Sequence, residues 1–224
     1  MSEKPILFSG EMVRAILDGR KTMTRRVVKD VNWIHIDRHI ADWPLSEPPV
    51  MGDGVATFTV QSEVDDSDCF DVKVPYQVGQ RLWVRETWAT ARTHDHLPPS
   101  EIDSDASVWW FADKSSLRHL GSVMGKTRPS IFMPRWACRL ELVVTDVRVE
   151  RLQDMGEADA LAEGIIEWTD PPRIKGKYYG ATIADVWEPS ARGAFARLWD
   201  SLNAKRGYGW DSNPWVWVVE FEKA

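Results

Sequence analysis

The sequence predicts an α+β fold, a small mixed β-barrel with short flanking helices and irregular surface insertions. Three observations carry this. Segments of strand-like alternation outnumber helical ones. The closing run Trp215–Phe221 sets Trp215, Trp217, Val219 and Phe221 against Val216 and Val218, so both of its faces are apolar and it belongs at the centre of a sheet. Stretches rich in proline and acids interrupt the regular segments, which reads as one domain over residues 1–224 with insertions at about 28–77, 92–130 and 167–190.

The elements follow in order. Ser9 caps a short helix with Met12, Val13, Ile16 and Leu17 on one face, and Gly19 follows where a left-handed residue ends a helix. Residues 55–61 and 70–76 alternate around the acidic run Glu63–Asp71 and predict a hairpin with a solvated tip. Gly79 precedes a strand over Arg81–Thr87. The stretch 92–129 holds one apolar island, Val108–Phe111, and predicts a single strand. Arg139–Arg148 is a strand with Leu140, Leu142, Val144 and Val147 inward. Asp154 and Glu157 form a capping box for a helix ending at Gly164. A last helix over Ala194–Leu202 presents Phe195, Leu198, Trp199 and Leu202 on one face.

Composition narrows the function classes. The 224 residues include 43% hydrophobic and 28% charged side chains, the profile of a globular chain. No run approaches the length of an apolar membrane span and the N-terminus lacks a signal-peptide layout, so the expected location is cytoplasmic. Cys69 and Cys138 are the only cysteines, which excludes a Cys-rich zinc site and predicts reduced thiols. His94 and His96 read as solvated loop residues. No metal and no cofactor is expected.

A net charge of −6 argues against a protein that coats nucleic acid through overall electrostatics. The charge is nevertheless uneven. Between Arg14 and Lys29 lie six bases (Arg14, Arg20, Lys21, Arg25, Arg26 and Lys29) against one acid, Asp18, so a local anion site is open to this chain. The 13 tryptophans are read mostly as core, with an aromatic near the basic segment able to stack on a base.

The segment Gly19-Arg20-Lys21-Thr22-Met23-Thr24-Arg25-Arg26 resembles the signature of the ASCH family, G-x-K-x-x-E-x-R, with Thr24 in place of Glu. Val78–Glu86 is similar to that family's G-D-x-L-x-V-R-E strand, with Gln80 for Asp. Asp159–Gly164 resembles its A-x-x-E-G helix end, and Trp215–Phe221 its closing strand. The four pieces occur in the family's order and cover about a third of the chain. Its length is similar to that of the long ASCH proteins of phages and prophages.

The resemblance implies a PUA-like pseudobarrel whose cleft takes RNA or a modified nucleoside. The N4-acetylcytidine amidohydrolase branch also carries Thr at the signature Glu position. Carried over by motif, its catalytic set falls on Lys21, Thr24 and Glu163, with Arg25, Arg26, Arg85 and Glu86 as ligand-binding candidates. Thr24 would attack an acyl carbonyl, Lys21 would move the proton and Glu163 would hold Lys21. Lys21 and Thr24, three positions apart, would face opposite sides of a continuous strand, so this chemistry requires a turn after Gly19. Two alternatives stand beside it: a module that binds RNA or a modified base without turnover, and a metal-dependent ribonuclease. The plain alternative for residues 21–26 is a basic surface loop, and for Arg85 and Glu86 an ion pair with each other.

Overall fold

Ser9, in extended backbone, accepts a hydrogen bond from the Met12 amide and starts helix α1 (Gly10–Leu17), which buries Val13, Ala15 and Ile16. The computed structural model describes residues 3–29, 49–52, 54–60, 68–113, 123–169, 176–181 and 187–224. Residues 63–67 of the acidic run Glu63–Asp71 and the prolines at 171 and 172 lie outside these residues. Among the described residues no helix is long and apolar enough to cross a membrane.

The strands are β1 (Lys4–Leu7), β2 (Met23–Val27), β3 (Val50–Gly52), β4 (Val55–Val60), β5 (Asp68–Lys73), β6 (Arg81–Arg85), β7 (Trp88–Ala89), β8 (Trp109–Trp110), β9 (Glu141–Arg151), β10 (Ile166–Thr169), β11 (Lys177–Gly180) and β12 (Trp215–Lys223). Two further helices are α2 (Glu157–Ala162) and α3 (Ala191–Asn203). The class is therefore α+β, with several sheets and few helices.

The main sheet has the order β1-β6-β9-β12-β2, antiparallel except for the parallel β1–β6 pair. The sequence reading of β12 as a central strand holds. Val216 and Val218 enter one core with Phe195 and Trp199 of α3, while Trp217, Val219 and Phe221 enter the other with Ile16, Leu82 and Leu142. Alternate side chains of one strand thus serve two cores, as the two-residue period of a strand requires. A register shift between Glu220 and Phe221 marks a bulge in this strand.

The expected barrel does not close by hydrogen bonding among the described residues. β1 and β2 are both edges. They nevertheless approach across a gap, because the Arg26 guanidinium on β2 donates to the Leu7 carbonyl on β1 at 2.8 Å.

The hairpin expected around the acidic run is present as β4–β5, with β3 added at its edge. This sheet is not a surface appendage: Ala56, Phe58, Val72 and Val74 belong to the same core as Leu82 and Val219. The 92–129 stretch carries a strand at its apolar island, β8, and packs Ile102 into a small core with Trp88, Met133 and Ala137 from its flanks. Residues 167–190, expected to be irregular, contain the hairpin β10–β11.

α2 begins three residues after Asp154, which lies instead in the turn Leu152–Asp154. Asp159 accepts from the Gly156 amide at this start. Glu157, expected to cap its own helix, accepts from the Ala191 and Arg192 amides and so caps α3.

Candidate functional site

The chain leaves α1 through Gly19, whose φ of +75° is one that L side chains rarely adopt. The amides of Arg20 and Lys21 then both donate to the Ala15 carbonyl, and the Thr22 amide donates to Ala162 at the end of α2. This is the turn expected after Gly19. It folds Lys21 inward before β2 begins at Met23.

The side chains of Lys21 and Glu163 are 0% and 4% exposed. Lys21 Nζ donates to Glu163 Oε2 at 2.6 Å, to the Glu163 carbonyl at 2.9 Å and to the Met23 carbonyl at 2.7 Å, so all three of its protons are engaged. Met23 is joined by that carbonyl to the peptide nitrogen of Thr24, which brings the amine to the residue preceding the candidate nucleophile. The Phe8 ring lies 5.8 Å from Nζ. Burial pushes the Lys21 ammonium below its ordinary value of 10.5, and Glu163 opposes that shift.

Glu163 caps the C-terminus of α2, where a carboxylate opposes the helix dipole. The next residue explains how it reaches Lys21. Gly164 has φ +101°, and a Cβ there would lie 3.1 Å from Ala15 Cβ and 3.3 Å from Lys21 Cβ. A bare backbone lets the helix end press directly on the Lys21 stem.

Arg25 is fully buried at its side chain. It donates to Glu150 at 2.5 Å, to Asp159 at 2.9 Å and to Glu163 Oε1 at 3.5 Å. Three carboxylates thus surround the guanidinium of this ligand-contact candidate. Arg25 engages the Glu163 oxygen that Lys21 does not.

Thr24, Arg25, Arg26 and Glu163 all line one cleft of about 490 Å³, a size that suits a small ligand. Lys21 sits behind it. The cleft runs along the open edge of β2, which is why it meets both faces of that strand: Phe8 and Leu7 lie on the Arg26 side, and Leu198, Trp199 and Leu202 of α3 on the other. Arg26 stacks its guanidinium 5.5 Å from the Phe8 ring. Its Nε is buried without a partner.

The remaining two candidates are placed differently. Arg85 stacks on Trp83 at 4.5 Å and donates to the Ile131 carbonyl, outside the cleft lining. Glu86 is 1% exposed at its side chain, and Arg139 takes both of its oxygens at 2.9 and 3.1 Å. The expected Arg85–Glu86 ion pair is not formed, since successive residues leaving a strand point to opposite sides. Burial raises the Glu86 carboxyl above its ordinary range.

Lys29 and Arg206 also line the cleft. Lys29 belongs to the basic run seen in the sequence, but nothing local signalled Arg206, which reaches the site only through the packing of α3. Among the described residues no group of three or more His, Cys, Asp or Glu side chains could hold a metal ion. Cys138 carries a free thiol. Comparison with protein-family models, with curated proteins and with solved structures gave no match.

Proposed function

We propose that the cleft hydrolyses the N-acyl group of a modified pyrimidine nucleoside or base. A PUA-like fold of the ASCH type, a cytoplasmic site of action and a nucleoside or RNA partner belong to the same proposal. The observation that carries it is the buried Lys21–Glu163 pair, whose Glu163 lines a basic cleft together with Thr24. Burying two charges costs more than their attraction usually returns, so such a pair beside a cleft points to chemistry rather than to stability.

The steps use this chain's own groups. Burial favours the neutral amine of Lys21, and the 2.6 Å contact with Glu163 holds that amine in place. Thr24 Oγ1 attacks the acyl carbonyl and its proton goes to Lys21. Collapse breaks the carbonyl–nitrogen bond, the nucleoside amine takes the proton from Lys21, and the acyl group stays on Thr24 as an ester. Water then attacks that ester, giving the carboxylic acid and restoring Thr24.

Binding of RNA or a modified base without turnover is the second reading. The full engagement of Lys21 by three acceptors favours it, because that is what a purely structural ammonium displays. Loss of the acylated absorbance of N4-acetylcytidine and related N4-acylcytosines separates the two. Thr24→Ser retains partial turnover and Thr24→Val has essentially none, while ligand affinity stays within about tenfold, since a neutral hydrogen bond contributes roughly 0.5–1.5 kcal/mol. A Val variant that deacylates at the unmodified rate removes Thr24 from the mechanism.

A further inference from the structure

The charge along the cleft wall exceeds what an acyl nucleoside base needs. Arg26, Lys29 and Arg206 line it, and none of them makes an ion pair among the described residues. Among the described residues the one acid in the lining, Glu163, is already neutralised by Lys21 and Arg25. A chain of net charge −6 therefore presents to a single small volume three cations that no acid among the described residues pairs. Across from β2 the wall is apolar, with Leu198 and Leu202 of α3, the latter 47% exposed. The cleft is thus divided: a part lined by Thr24 and Glu163, an apolar side suited to a flat ring, and a cationic part.

We infer that the ligand carries a phosphate ester, so that a nucleotide rather than a free nucleoside is the preferred substrate, with Lys29 and Arg206 receiving the phosphate. The inference rests on the deacylase reading and names its substrate class. A ribose and a pyrimidine carry no charge that three cations would recognise, whereas phosphate oxygens accept charge-assisted hydrogen bonds from both Lys and Arg. Arg26, already bound to the Leu7 carbonyl and stacked on Phe8, is the less mobile of the three and orients the sugar end of the ligand. Arg206 follows the C-terminus of α3, where a cation also complements the helix dipole, so its role has to be read from substrate preference and not from stability. The phosphate can belong to a mononucleotide or to an oligonucleotide chain, and the two sources share this chemistry.

The test compares kcat/KM for N4-acetylcytidine, its 5′-monophosphate and a short oligonucleotide carrying the same base, with the unmodified protein and with Lys29→Gln/Arg206→Gln. The monophosphate should exceed the nucleoside by about tenfold or more at low salt, a preference that shrinks as salt rises and collapses toward one in the double variant. An oligonucleotide better than the monophosphate supports the inference with the chain as phosphate source. Equal turnover of nucleoside and monophosphate overturns it and leaves the deacylase reading intact. If no substrate is deacylated, that reading fails, and calorimetry with cytidine and cytidine 5′-monophosphate decides the inference alone: tighter monophosphate binding that Lys29→Gln/Arg206→Gln removes sustains it, and equal binding overturns it.

Discussion

Lys21 is a fully buried cation paired with the Glu163 carboxylate, so burial and that carboxylate pull its protonation in opposite directions. Desolvation outweighs the attraction and lowers its affinity for a proton, while the unfolded chain binds that proton up to about 10.5. Between the lowered native value and 10.5 the unfolded state holds more protons, and folding stability rises with pH across that window. Activity follows the same titration: kcat/KM for an N4-acylcytosine should climb as Lys21 loses its proton and level off below 10.5, and Lys21→Arg should abolish the turnover. A pH–rate profile with no such limb removes Lys21 as the base. Stability gives a separate reading of the pair. Glu163→Gln leaves a buried ammonium without its counter-charge and should cost about 3–5 kcal/mol in urea unfolding, whereas Lys21→Met combined with Glu163→Leu should recover most of that loss. Equal costs for the single and the double variant would mean that the pair is not coupled.

Elements meet at this site because their ends, more than their faces, are placed with care. α2 stops at Glu163 and turns away through Gly164, whose absent side chain makes room for Lys21. Gly164→Ala should destabilise by about 1 kcal/mol or more from its positive φ, and the crowding against Lys21 should lower turnover beyond what that loss explains. Glu157 holds the start of α3, the helix that forms the apolar cleft wall. Replacing it by alanine should cost about 1 kcal/mol, measured by thermal or urea unfolding. Its role also shows where sequence reading stops. A capping box counts partners three residues apart, and the Asp154–Glu157 pattern fitted that count, but the amides Glu157 serves lie 34 residues away. β1 and β2 escaped notice for a different reason: four and five residues are too few for a two-residue alternation to stand out, and β2 is dominated by arginine. By contrast α1, β9, α3 and β12 were legible, since each carries several apolar residues at its own period. Lys21 and Glu163, 142 positions apart, entered as partners only through the motif resemblance, because no local pattern links them.

At the scale of the whole molecule, one strand organises two cores, and the question is how far the second sheet belongs to them. The sequence suggested that residues 28–77 are inserted into a barrel. Packing places β4 and β5 against the main sheet: Phe58 is fully buried, its ring meets Trp215 of β12 edge-on at 5.7 Å, and Ala56 and Val72 lie in the core that Leu82, Leu142 and Val219 share. Composition hid this, because the strand residues are few and the acidic run between them dominates the segment. If β4–β5 were an appendage, Phe58→Ala would loosen a hairpin and leave the cleft untouched. As part of the shared core it opens a cavity beneath β12, at a cost of about 3–5 kcal/mol, which is a large share of the stability of a single domain. Urea unfolding followed by both tryptophan fluorescence and far-ultraviolet circular dichroism should give one coincident transition, displaced to lower urea by the substitution. Two separated transitions, with only the first displaced, would show that the β3–β5 sheet folds apart from the strands that carry Thr24 and the cleft.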